Sequence, residues 1–195
     1  MTANRDDHVY LTLLTLFESK GTRFTTEDLA RELATSKRTI YTHFTGKEDM
    51  IDQTIDYVFA DMMKADEEIL QNPNLPIAEK LKKILCGAPD AYSIGSITRH
   101  AVDLRRHYPD LWAKVERNLD SLWNPLIQLV EEGVQAGELR EVNPVILRLM
   151  VKETLNRLLD YEYMTKNQIT FESGIQAMGD ILLLGLLKPT SSRKN

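Results

Sequence analysis

Between Lys37 and His43 all but one residue carries a side chain that donates a hydrogen bond: Lys37, Arg38, Thr39, Tyr41, Thr42 and His43. Two kinds of acceptor suit such a run. Arg and Lys match the O6 and N7 atoms of guanine, and hydroxyls, imidazoles and cations all match phosphate oxygens. Ile40 interrupts the run, and with Phe44 it gives the segment an apolar side that must be buried. Lys47 adds a further cation just beyond. The chemistry implied is recognition of a polyanion by one short helix.

A second constellation lies at Arg99, His100, Asp103 and His107, where helical spacing places His100, Asp103 and His107 nearly on one face. Two readings apply: metal ligands, or the polar rim of a pocket. Solvation beside Arg105 and Arg106 competes with metal binding, and no metal is expected. Bond-making chemistry finds no support. There is no G-x-S-x-G elbow, no H-E-x-x-H and no glycine-rich phosphate loop, and Cys86 has no base paired with it. Neither an enzyme nor a cofactor is expected.

The elements that must hold Lys37–His43 can be read around it. Val9, Leu13, Leu16 and Phe17 recur at helical spacing up to Lys20, with Gly21 where a left-handed cap is expected. Thr25 with Asp28 opens a second helix carrying Leu29, Ala30 and Leu33. Ser36 caps the third helix, which is the donor-rich one. Thr45 with Glu48 forms a T-x-x-E box that starts a long fourth helix through Met50, Ile51, Ile55, Val58, Met62 and Ile69. Three helices with a tight turn between the second and third describe a helix-turn-helix, whose third helix enters the major groove.

Further along, Pro76, Pro89, Pro109 and Pro144 fit the first turns of new helices. Pro125 falls inside the Leu111 to Val134 pattern and should kink or split it. Val145 to Tyr163 and Phe171 to Leu187 are the most apolar helices. No alternating strand pattern is present, so the fold class is all-α, with about nine helices.

The stretch from Phe24 to Ile51, F-T-T-E-D-L-A-R-E-L-A-T-S-K-R-T-I-Y-T-H-F-T-G-K-E-D-M-I, resembles the DNA-binding signature of the tetracycline-repressor (TetR) family. Thr25 and Thr26, Ser36, Thr39, Ile40, Tyr41 and Phe44, and Lys47 with Glu48 carry the likeness. One departure is the turn, where the family has Ala-Gly-Val-Ser and this chain has Leu33-Ala34-Thr35-Ser36. A left-handed residue without glycine costs about 1 kcal/mol there.

The resemblance implies a helix-turn-helix domain over residues 1–46 and a ligand-binding and dimerisation domain over 47–189, and the residues themselves suggest a flexible tail over 190–195. It implies a homodimer on a two-fold operator in double-stranded DNA, an unidentified small-molecule effector and a cytoplasmic location. Within that frame Lys37 and Arg38 are assigned to base edges and Thr42 to a thymine methyl, with a solvated surface charge as the other reading of Arg38. Thr25, Thr26, Tyr41, His43 and Lys47 are assigned to phosphates, with Thr39 on the same face. Tyr41 has a second reading, packing on the first helix. A sensing pocket draws on Tyr92, Arg99, His100, Asp103, Trp112 and Trp123, although for any single aromatic plain core packing is the favoured reading. The dimer contact draws on Leu155, Leu158, Ile175, Met178, Leu182 and Leu186, for which an intramolecular core is the other reading.

Charge narrows the contact area. The chain carries a formal net charge of −5, and residues 1–50 hold seven Lys or Arg against eight Asp or Glu. Nucleic acid is therefore bound through a local patch with strong salt dependence. The longest apolar run near the end, Ile181 to Leu187, is far shorter than the roughly 20 residues of a membrane span. The polar start is no signal peptide, and the single cysteine fits the cytoplasm. A protein of DNA-linked assembly on the same fold, without a ligand, is the alternative function.

Overall fold

A computed structural model describes residues 5–86, 95, 97 and 99–188. In chain order the α-helices with printed bounds are α1 (Arg5–Lys20), α2 (Thr26–Glu32), α3 (Lys37–Ile40), α4 (Lys47–Leu70), α5 (Ile77–Cys86), α6 (Ala101–His107), α7 (Pro109–Gln135), α8 (Pro144–Leu158), α9 (Tyr161–Lys166) and α10 (Phe171–Leu186). A 3-10 turn, Gly21–Arg23, links α1 to α2. Extended pairing among the described residues is limited to an isolated bridge between Leu139 and Leu187. The all-α expectation holds. Pro89, Tyr92 and the tail after residue 188 lie outside the described residues.

Local chemistry sets most boundaries. Gly21 sits at φ +58, the left-handed conformation that closes α1. Thr25 and Asp28 form a reciprocal capping box at α2, and the Ser36 hydroxyl accepts from the Thr39 amide at α3. Asn143, Asp160 and Thr170 cap α8, α9 and α10 in the same way. Each such cap is worth about 1 kcal/mol.

Three expectations change. The cap of α4 is Gly46, not Thr45, and the Thr45 amide donates instead to Asp49 at 2.7 Å, one residue beyond the expected Glu48. The segment from Val145 to Tyr163 is two helices, because the Asp160 carboxylate accepts from the Tyr163 amide and restarts the chain as α9. Pro125 lies inside α7, which continues to Gln135 without a split.

Two apolar clusters build the interior. The first joins Leu13, Phe17, Phe24, Leu29, Ile40, Phe44, Met50 and Ile55 to Ile97, Leu104, Trp112 and Val115. The second joins Leu81, Leu85, Leu126, Ile127 and Val130 to Leu147, Val151, Leu155, Met178, Leu182 and Leu186. The first cluster runs without a break from the three N-terminal helices into α6 and α7.

Candidate nucleic-acid interface

The turn between α2 and α3 aims the donor-rich segment. Ala34 takes φ +49, the left-handed conformation a glycine would occupy more cheaply. The Thr35 amide donates to the Ala30 carbonyl at 2.8 Å and closes the turn. The glycine-free sequence thus keeps the tight geometry. α3 begins at Lys37, and the Tyr41, His43 and Phe44 amides carry its hydrogen-bonded ladder past Ile40. Ile40 and Phe44 are each only 3% exposed. Lys37, Arg38, Thr39, Tyr41, Thr42 and His43 are all exposed. Tyr41 stands 56% exposed, so its ring is not packed on α1.

Electrostatics separates residues that look alike in sequence. Asp28 accepts from Lys20 at 2.6 Å and from Arg31 at 2.8 Å while holding its capping box with Thr25. Lys20 first, then the Thr25 amide and hydroxyl, hold its carboxyl well below the usual carboxylate range. Glu27 pairs with Lys37 at 2.7 Å. That contact lowers the Glu27 carboxyl and raises the Lys37 ammonium relative to their ordinary values. The Lys47 ammonium lies 5.3 Å from the Phe24 ring centre, and burial pulls its proton affinity down. Arg38 has no ion pair or hydrogen bond among the described residues and projects freely from the first turn of α3.

Other hydroxyls on this face are already engaged. Thr25 serves the cap, Thr39 shares a hydrogen bond with Ser36 at 2.9 Å, and Thr42 donates to the Thr39 carbonyl at 2.6 Å. Thr26 is half-buried at the start of α2. Behind this face Tyr10 stacks on Tyr57 at 4.8 Å, meets Phe44 edge-on and donates to Gln53 at 3.0 Å. Sequence reasoning passed over Tyr10 and Glu27. A lone aromatic and a lone acid carry no periodic signal.

The residues assigned to a sensing pocket divide into separate places. Arg99 pairs with Glu18 at 3.3 Å, and His100 Nε2 donates to the Glu18 carbonyl at 3.2 Å. The imidazole meets Phe17 edge-on at 5.5 Å and packs on Gly21, where a Cβ would stand 2.6 Å from its Nδ1. Both residues thus fasten the chain ahead of α6 to the end of α1. The Asp103 carbonyl accepts from His107 Nδ1 at 3.0 Å. No group of three or more His, Cys, Asp or Glu side chains among the described residues is placed to hold a metal. Trp112 lies in the first core, 4.5 Å beneath the Arg105 guanidinium. Trp123 borders the second core. Tyr92 lies outside the described residues.

The residues assigned to the dimer contact pack within one protomer. Leu155, Leu158, Met178, Leu182 and Leu186 are each less than 9% exposed within one protomer, and Ile175 packs against both cores. They face their own chain because α8 and α10 close over α5 and α7. Gly179 belongs to that closure, since a Cβ there would strike the Leu85 carbonyl. On these two helices the large apolar side chains left in solvent are Val145, Ile146, Leu149 and Met150 of α8, with Ile181 and Leu184 of α10. Leu184 is 77% and Val145 72% exposed. Both helices carry apolar residues on opposite sides, a signal visible in the sequence of α10 as a run that is hydrophobic nearly all round from Ile181 onward.

Comparison with known proteins fits this geometry. Residues 12–54 match the family described as bacterial regulatory proteins, tetR family. The HTH-type transcriptional regulator YvaF of Bacillus subtilis is 27% identical over 184 residues, covering 93% of this chain and 95% of its own. FadR of Bacillus subtilis, solved with stearoyl-CoA, aligns with TM-score 0.68 at 19% identity over 93% of this chain and 99% of FadR. The ketosteroid transcriptional regulator KstR2 of Mycobacterium tuberculosis aligns with TM-score 0.64 at 17% identity over 97% and 98% of the two chains.

Proposed function

We propose that the chain, whose residues 12–54 match the tetR family of bacterial regulatory proteins, is a DNA-binding transcriptional regulator, a repressor which a small-molecule effector releases from a two-fold operator. It acts in the cytoplasm as a homodimer, through residues 1–46 on DNA and residues 47–189 on effector and partner. Arg38, free in the first turn of α3, reads a base edge, with Lys37 beside it. Tyr41, His43 and Lys47 meet phosphates, and Thr25 and Thr26 hold the start of α2 against the backbone. The exposed apolar side chains of α8 and α10 form the contact between copies.

The observation that carries release by an effector is the unbroken apolar cluster from the helix-turn-helix into α6 and α7. Polar ties reinforce it. Arg99 and His100 hold Glu18, and Lys114 of α7 pairs with Asp52 and Asp56 of α4 at 2.6 Å each. An effector that favours a different packing of α6 and α7 changes the spacing of the two α3 helices, and DNA must weaken effector binding by the same factor.

Selection of fragmented genomic DNA by the purified chain tests the reading. It is expected to yield a two-fold sequence whose half-sites lie about 10 base pairs apart or a multiple of that. Recovery of fragments with no shared sequence would remove the regulatory function.

A further inference from the structure

α7 and α8 enclose between them a crevice of about 180 Å³. Pro125 lies beside it and has no amide hydrogen for the Ser121 carbonyl, which loosens α7 at that turn. The floor is apolar, formed by Ile127 and Val151, each 2% exposed. The walls are Trp123, Asn124, Asp120, Arg148 and Lys152. Cations therefore outnumber acids here, in a chain whose net charge is −5.

The polar groups are incompletely used. Arg148 donates through Nη1 to Asn124 Oδ1 at 2.8 Å, leaving the rest of its five-donor fork for another acceptor. Lys152 stands 3.8 Å from Asp120, beyond hydrogen-bond range. The Trp123 indole nitrogen is buried, with no hydrogen-bond partner among the described residues.

The geometry points to this crevice as a binding site for a small amphipathic monocarboxylate. The carboxylate is taken by Arg148 and Lys152, whose charge-assisted contacts are the strongest available. Its apolar body lies on Ile127, Val151 and the indole of Trp123. The volume is below the roughly 300–1,000 Å³ of pockets for drug-sized ligands, so a single ring or short chain fits. Asp120 on the wall disfavours a multiply charged anion. Arg148 and Lys152 occupy the flank of α8 between its buried stripe, Leu147, Val151 and Leu155, and its exposed stripe, Val145 and Leu149. A ligand here thus touches both the core and the edge of the proposed contact between copies. The regulatory consequence of the site rests on the effector-controlled reading above; its occupancy does not.

Tryptophan fluorescence of the full chain in the absence of DNA tests the site, with benzoate, its neutral counterpart benzamide, and inorganic phosphate as probes. Trp112→Phe leaves Trp123 as the reporter, and calorimetry on the wild-type chain reads the same comparison should that variant not fold. Benzoate is expected to give a saturable response. Benzamide and phosphate are expected to bind at least about ten-fold more weakly, and Arg148→Gln with Lys152→Gln to weaken benzoate about ten-fold at unchanged melting temperature. No saturable response, an equal response to benzamide or phosphate, or undiminished binding by the double variant would each overturn the proposal. Because DNA is absent, none of these results bears on operator recognition, which the fragment selection tests separately.

Discussion

Lys37 and Arg38 are neighbours of like charge, yet they present themselves differently. The Lys37 ammonium is held by Glu27 at 2.7 Å, whereas Arg38 has no such partner among the described residues. On the proposed DNA-facing side a phosphate or guanine must first displace Glu27 from Lys37, and the Glu27 carboxylate then repels the DNA. Glu27→Gln removes both penalties. It is expected to tighten operator binding several-fold and to steepen the salt dependence by about one counterion per protomer, checked by fluorescence anisotropy over a salt series. Weaker binding would show that the pair positions α3 rather than restrains it. The sequence exposed the donors but not this pairing, because Glu27 and Lys37 lie on different helices and meet only once the turn at Ala34 has formed.

At the scale of elements, start signals were legible wherever one side chain meets its own helix. Thr25 with Asp28, Ser36 and Gly21 act as their types predict. Competition between neighbouring candidates was not legible. Thr45 and Gly46 both suit the start of α4, and Asp49 rather than Glu48 takes the Thr45 amide. Asp160 hides within an apolar pattern and ends α8. Asp66 is a similar interruption, half-buried on α4 between Met62 and Ile69. Burial pushes its carboxyl up to about 6. The folded chain therefore holds this proton more tightly than the unfolded chain, whose Asp titrates near 3.9. Ionised Asp66 lowers stability above about pH 6, and the penalty fades as the pH falls through that window to about 4. Asp66→Asn is expected to raise the melting temperature by roughly 2–6 °C at pH 7.5, with the gain vanishing near pH 4. A gain independent of pH would assign the effect to packing instead.

Over the whole molecule, one core ties the reading head to α6 and α7, and a second is closed by α8 and α10. The apolar helices at the C-terminal end were evident from composition, but which side faces the protomer was not. A helix apolar on both sides gives periodicity no direction, and only the closure over α5 and α7 assigns Leu182 inward and Leu184 outward. The net charge of −5 makes the basic patch of α3 a local exception on an acidic molecule. Operator binding should then rest on few cations, each used twice in the proposed two-fold dimer. The most direct measurement is the salt dependence of binding to the selected operator, comparing the wild-type chain with Arg38→Ala. A two-fold reader loses about two from the slope of log K against log salt, one for each protomer, together with its preference over unrelated DNA. Unchanged affinity and slope would contradict the account.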